Sequence, residues 1–162
     1  MKGGDTVKLG NLEAAVIDVP GHTLGHIAFH LASERTAFVG DALFALGCGR
    51  VFEGDPGMMW ASLSRLKGLP PETSIYCAHE YTQSNAKFAI TADPENAALQ
   101  AYVAEVDDKR SRGEWTVPTT IAKELAANPF LRCDDPGLQA LMGTSGDAVA
   151  TFAEVRGRKD SF

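Results

Sequence analysis

The spacing of apolar residues changes once, near residue 83, and that change constrains the fold more than any other feature of the chain. Before it, apolar residues fall in short runs: Glu13 to Val19 is rich in Ala, Val and Ile, His26 to Leu31 alternates, and Thr36 to Val39 is a third. Turns at Gly10-Asn11, Pro20-Gly21 and Ala32-Ser33-Glu34 separate these runs, so they read as strands. Asp41 to Gly57 is broken by Gly47, Gly49, Gly54, Pro56 and Gly57 and reads as a loop. A helix is expected from Pro56 or Gly57, capped by Asp55, with Trp60, Leu63, Leu66 and the adjacent Met59 on its apolar face and Gly68 at its end. Ser74 to Cys77 is a further strand. Strands, then helix, then strand is the order of an α/β layered sheet.

Beyond Gln83 the spacing becomes helical. Asp93-Pro94-Glu95 reads as an N-cap with first-turn Pro and acid, and Ala98, Tyr102 and Val106 share a face until Gly113. Thr119 or Thr120 caps a segment running to Ala127, which Asn128-Pro129 terminates. Thr144 to Asp147 forms a loose capping box for a last helix whose stripe is Val149, Phe152 and Val155.

Composition excludes several classes of function. Fifteen Lys and Arg against 21 Asp and Glu give a net charge of -6, which disfavours a general nucleic-acid binder. Cys48, Cys77 and Cys133 are odd in number and have no C-x-x-C spacing, so they suit reduced, mostly buried thiols and a cytoplasmic location. The opening residues hold no apolar leader core, and no run approaches the ~18 apolar residues of a spanning helix, so no membrane partner is expected.

Three short signals follow expected strands: Pro20-Gly21-His22-Thr23-Leu24-Gly25-His26, Gly40-Asp41-Ala42-Leu43-Phe44, and Cys77-Ala78-His79-Glu80-Tyr81-Thr82. Strand ends form the rim where α/β proteins bind ligands, and two His with one Asp suit a zinc-type site. Each residue also has a plainer reading. A His after Gly is more often a hydrogen-bonding turn residue, and Asp41 after Gly40 could simply cap a loop. His26 and His30 lie in an alternating run whose Ile27, Phe29 and Leu31 take the other face, so they read as polar-face residues rather than a metal pair.

Together the three signals resemble the hydroxyacylglutathione hydrolases (glyoxalase II) of the metallo-β-lactamase superfamily. The resemblance continues through Gly47-Cys48-Gly49-Arg50-Val51-Phe52-Glu53-Gly54, Leu69-Pro70-Pro71-Glu72-Thr73, Asn128-Pro129-Phe130-Leu131-Arg132 and Arg156-Gly157-Arg158-Lys159-Asp160, and so covers almost the whole chain. It implies the C-terminal half of a metallo-β-lactamase (αββα) fold over residues 1–82, followed by an α-helical substrate-binding domain over 83–162. It implies hydrolysis of S-D-lactoylglutathione to D-lactate and glutathione at a dinuclear Zn2+ site, with Fe or Mn as alternatives. His22 would ligate the first metal and His79 the second, with Asp41 bridging both. Arg50, Phe52, Tyr81, Arg156 and Lys159 would contact the substrate. Arg50 stands where some members have Lys, which keeps the charge, and Phe52 where some have Tyr, which removes a hydroxyl. The superfamily's sulfur (persulfide) dioxygenases share the Gly-His-Thr and Gly-Asp-Ala-Leu phrases but lack the appended helical part, and rank second.

The family's Thr-His-x-His-x-Asp-His signature, which supplies most of the metal ligands, is absent, and the four histidines are all accounted for. The resemblance therefore implies a chain lacking the N-terminal half of its first domain, with an incomplete ligand set and poor turnover. The alternatives are a non-catalytic glutathione-binding fragment, or a half-enzyme needing an N-terminal partner.

Overall fold

A computed structural model describes residues 1–162. The first part folds as strands β1 (Thr6–Leu9), β2 (Leu12–Asp18), β3 (Ile27–Leu31) and β4 (Thr36–Gly40), a small hairpin β5 (Leu43–Phe44) and β6 (Gly47–Cys48), helix α1 (Pro56–Lys67) and strand β7 (Ser74–Cys77). The second part is α2 (Thr82–Ala92), α3 (Ala97–Ser111), the two-residue strand β8 (Thr119–Thr120), α4 (Ile121–Ala127), α5 (Pro136–Met142) and α6 (Ala148–Asp160). The main sheet has the order β1-β2-β3-β4-β7-β8, with only the β4–β7 pair parallel. That pair needs a crossover, and α1 lies within it. No helix is long and apolar enough to cross a membrane.

Alternation along the strands decides what each sheet face meets. Ala28, Ala37, Val39 and Ile75 are buried on one face, where their small or branched side chains pack with Met59, Leu63 and Leu66 of α1. Asp55 caps this helix, accepting from the Met58 amide at 2.8 Å, and Trp60 is only partly buried, with the Lys67 ammonium 5.3 Å from its ring. His30 shares the inner face with Ala28, since it pairs with Ala37, so it is not on an outward polar face. The residues turned outward are Phe29, Phe38 and Tyr76; Phe38 and Tyr76 stack at 5.3 Å and stay 47% and 39% exposed.

The structure differs from the sequence reading in several places, each for a local reason. Asp93 does not start a helix: it ends α2 and pairs with Arg132, while Asn96 caps α3 by accepting from the Leu99 amide. The buried face of α3 is Leu99, Tyr102 and Val106, one residue on from Ala98, which is exposed. On α6 Val149 is 41% exposed, and the buried stripe is Thr151, Phe152, Val155 and Arg156. The expected loop at 41–57 contains the β5–β6 hairpin, whose two-residue turn leaves no long apolar run to read. Helix α2 follows no capping signal, whereas α5 has Asp135 as its N-cap, Pro136 in its first turn and Gly143 at its end, but its seven residues are too few to show a helical period.

The main core joins both parts. Phe88, Phe130 and Phe152 pack in one cluster with Val39 and Leu63, and β8 pairs with β7 as Ser74–Thr120 and Ile75–Thr119. A second cluster, Ala86, Ala89, Leu99, Tyr102, Val106 and Ala127, belongs to the helices except for one residue, Leu46 from the β5–β6 turn.

Candidate functional site

The eight residues singled out in the sequence meet on one cleft of about 510 Å³. His22, Asp41 and His79 come from the loops after β2, β4 and β7 and form one wall. Arg156 and Lys159 come from the last turns of α6 and form a second wall of the same cleft. Arg50, Phe52 and Tyr81 stand at the rim, all exposed.

Backbone geometry aims the donor wall. The His22 Nδ1 lies 2.9 Å from the Arg50 carbonyl, which can only accept, so the proton is on Nδ1 and the Nε2 lone pair is free to ligate. His26 is different: its Nε2 accepts the Asp41 amide at 3.1 Å, so that lone pair is committed to holding the loop. A Cβ on Gly40 would lie 2.6 Å from that same Nε2, and Gly40 has φ +54, so glycine is required where β4 turns into Asp41. The Asp41 Oδ1 is 3.4 Å from His79 Nε2. His79 stacks on Tyr81 at 5.0 Å, and Phe44 packs against Tyr81 at 5.3 Å. Phe52 leans on His22 at 5.0 Å.

The cationic wall is held by different means. The buried Arg156 donates to the Cys48 carbonyl at 3.2 Å and to Asp160 at 2.8 and 3.0 Å. Lys159 donates to the Asn85 side-chain oxygen and lies over the Phe88 and Phe130 rings. Burial, and then the neighbouring Arg156 charge, bring the Lys159 ammonium down to about 8. Burial also pushes the Cys48 thiol up to about 11, against the pull of Arg156. Cys48 and Cys133 are buried, Cys77 is half-buried, and all three are free thiols.

Asn85, Phe44 and Cys48 also line the cleft and were not assigned a role from sequence. Asn85 lies four residues after Tyr81 and shares its helix face, a spacing that could have found it. Between His79 and Tyr81, Glu80 turns away from the cleft to accept from the Thr116 amide and hydroxyl at 2.8 and 2.7 Å, and these bonds hold its carboxyl below the usual range despite partial desolvation.

The donor set suits a borderline metal in type, two imidazoles and a carboxylate on one wall. It falls short in number, since no three His, Cys, Asp or Glu side chains gather closely enough to hold an ion.

Residues 80–162 match the family model described as hydroxyacylglutathione hydrolase C-terminus, and residues 1–79 match that of the metallo-beta-lactamase superfamily. The chain belongs to the hydroxyacylglutathione hydrolase family. It is 62% identical over its whole length to the hydroxyacylglutathione hydrolase of Hyphomonas neptunium, and 62% identical over 98% of its length to that of Erythrobacter litoralis. The chain spans 63% of the length of each of these relatives. The crystal structure of ETHE1 from Myxococcus xanthus aligns with a TM-score of 0.56 and 30% identity, covering 81% of this chain and 44% of that one. The α/β part with its mixed sheet is thus a metallo-β-lactamase-type fold, and the helices that follow are the family's C-terminal region.

Proposed function

We propose that the chain carries the peptide-thiol wall and three metal donors of a glutathione-thioester hydrolase, the reaction being cleavage of S-D-lactoylglutathione to D-lactate and glutathione. The observation that carries this reading is that His22, Asp41 and His79 line one cleft together with Arg156 and Lys159. In a site completed by further ligands, His22, Asp41 and His79 would be among the residues that hold the metals, Zn2+ by choice with Fe or Mn as substitutes, and these would supply hydroxide near neutral pH and polarise the thioester carbonyl. The chain's own residues bind and orient. Arg50, Arg156 and Lys159 neutralise the carboxylates of glutathione, and a guanidinium fork matches a carboxylate in both charge and shape. Tyr81 and Phe52 flank the thioester with their rings. The leaving thiolate has a conjugate-acid pKa of about 8.5, so no strong general acid is required of this chain. The match over 80–162 favours this reaction over sulfur dioxygenation. Free thiols and net negative charge suit a cytoplasmic enzyme.

The test is a steady-state assay of the purified chain on S-D-lactoylglutathione with excess zinc. Feeble hydrolysis that falls to the uncatalysed rate in Asp41→Ala is expected; robust turnover with two ions bound per chain would contradict the incomplete donor set.

A second reading takes the chain as a glutathione binder without turnover, or as a half-enzyme completed by an N-terminal chain. Two observations favour it: the shortage of clustered donors and the outward aromatic pair Phe38 and Tyr76 on the sheet, a face suited to being covered. Size-exclusion chromatography separates the cases. A clean monomer with sharp thermal unfolding counts against the need for a partner.

A further inference from the structure

The geometry points to Glu124 as a positioning residue that sets the Phe44–Tyr81 contact at the cleft through the β5–β6 turn. Glu124 is wholly buried on α4, far in sequence from the His22, Asp41 and His79 signals, and every group around its carboxyl can donate. One oxygen accepts from the Thr119 hydroxyl at 2.6 Å and the Tyr102 hydroxyl at 3.2 Å. The other accepts from Asn128 Nδ2 at 2.9 Å and from the Leu46 amide at 2.8 Å. Leu46 is the residue that matters, because it is a leucine in the left-handed region, φ +57, at the hairpin turn.

That conformation sends the Leu46 side chain into the helical cluster while Phe44, two residues earlier, faces Tyr81. The same turn is gripped from the helical part at other points. Asn128 donates to the Phe44 and Gly47 carbonyls at 3.2 and 3.0 Å, and Asn85 donates to the Ala45 carbonyl at 3.0 Å. Of these grips only the Glu124 bond takes the amide of the strained residue itself. Losing it leaves a buried N–H unpaired beside an unfavourable φ, which favours relaxation of the turn and movement of the Phe44 ring. Tyr81 and the stacked His79 would then lose one side of their support.

The experiment uses the full chain and two readouts: the Phe44–Tyr81 ring contact by nuclear Overhauser effects, and the affinity for S-methylglutathione by calorimetry. The second rests on the glutathione reading above, whereas the first does not. Failure of the unmodified chain to bind S-methylglutathione would therefore count against that reading and leave the ring contact to decide this one. Glu124→Leu is expected to lose the ring contact and weaken binding about tenfold, while Glu124→Gln, which keeps an acceptor in reach of Leu46, retains both within about threefold. Glu124→Asp retracts the acceptor by one methylene but keeps the carboxyl group; it is expected to behave like Leu and replaces it if Leu fails to fold. Val106→Ala, in the same cluster with no bond to the turn, controls for general loosening and should keep the contact. Retention of the ring contact in Glu124→Leu and Glu124→Asp, or its equal loss in Val106→Ala, would overturn the assignment.

Discussion

On one wall of the cleft the donor side chains stand partly in solvent, His79 52% and Asp41 29% exposed, whereas the Arg156 side chain on the other wall is 7% exposed and engaged by Cys48 and Asp160. Backbone turns aim the first wall and leave its side chains with spare bonding capacity. Helix packing builds the second, and its charged groups are part of the structure that holds them. Substitutions should therefore separate: changes to the donor wall should alter ligand chemistry with little effect on folding, and changes to the cationic wall should alter both.

The largest expected effect is that of Arg156→Ala, which leaves the buried Cys48 carbonyl without its donor and removes a buried side chain packed on the Phe130 ring. It should cost about 3 kcal/mol of stability in urea unfolding, while Asp41→Ala stays within about 0.5 kcal/mol of the unmodified chain. Equal losses would break the comparison. Gly49→Ala is the expected exception on the donor side, since a Cβ there would lie 2.0 Å from the Asp41 carbonyl oxygen. Backbone cannot swing aside as a side chain can, so about 2 kcal/mol should be lost and Asp41 displaced. Unfolding curves and zinc titration check the two parts of that statement.

A smaller effect is the pH response of Lys159. Its folded value of about 8 lies below its ordinary 10.5, so the unfolded chain holds more protons between these limits, and this group's contribution to stability rises with pH across that window. Binding of an anionic peptide should run the other way, weakening by about tenfold as the ammonium is lost above pH 8. Calorimetry with glutathione from pH 6.5 to 9.5, beside unfolding at the same pH values, would show whether the two trends oppose. Least of all should the cationic wall show thiol chemistry: with Cys48 pushed up to about 11 and buried, iodoacetamide at pH 8 should leave it unmodified in the folded chain.

The same contrast explains what could be read in the sequence. The donor wall is written in local phrases, because a strand end, a glycine and a ligand are neighbours in the chain: Gly40-Asp41 needs its glycine for a reason visible within two elements. Asp55 and Thr120 were legible as caps for the same reason, each accepting from an amide three residues on, whereas the capping box read at Thr144 to Asp147 starts one turn early, since Asp147 itself is the N-cap of α6. The grip of the helical part on the β5–β6 turn was not legible. An acid in the first turn of α4 reads as an ordinary dipole partner, and Asn128 before Pro129 as a helix stop; only packing brings them to Leu46 and Gly47. Asp93 misled because its Pro and Glu imitate a helix start, while Arg132, 39 residues away, claims its carboxylate instead.

The central claim is that the cationic wall is complete within this chain and works without the donor wall. Calorimetric titration of the chain with glutathione, with and without EDTA, tests it most directly. One-to-one binding of the same affinity in both, retained in Asp41→Ala and lost in Arg156→Ala, is the expected result; absence of binding, or binding abolished by EDTA, would contradict the claim.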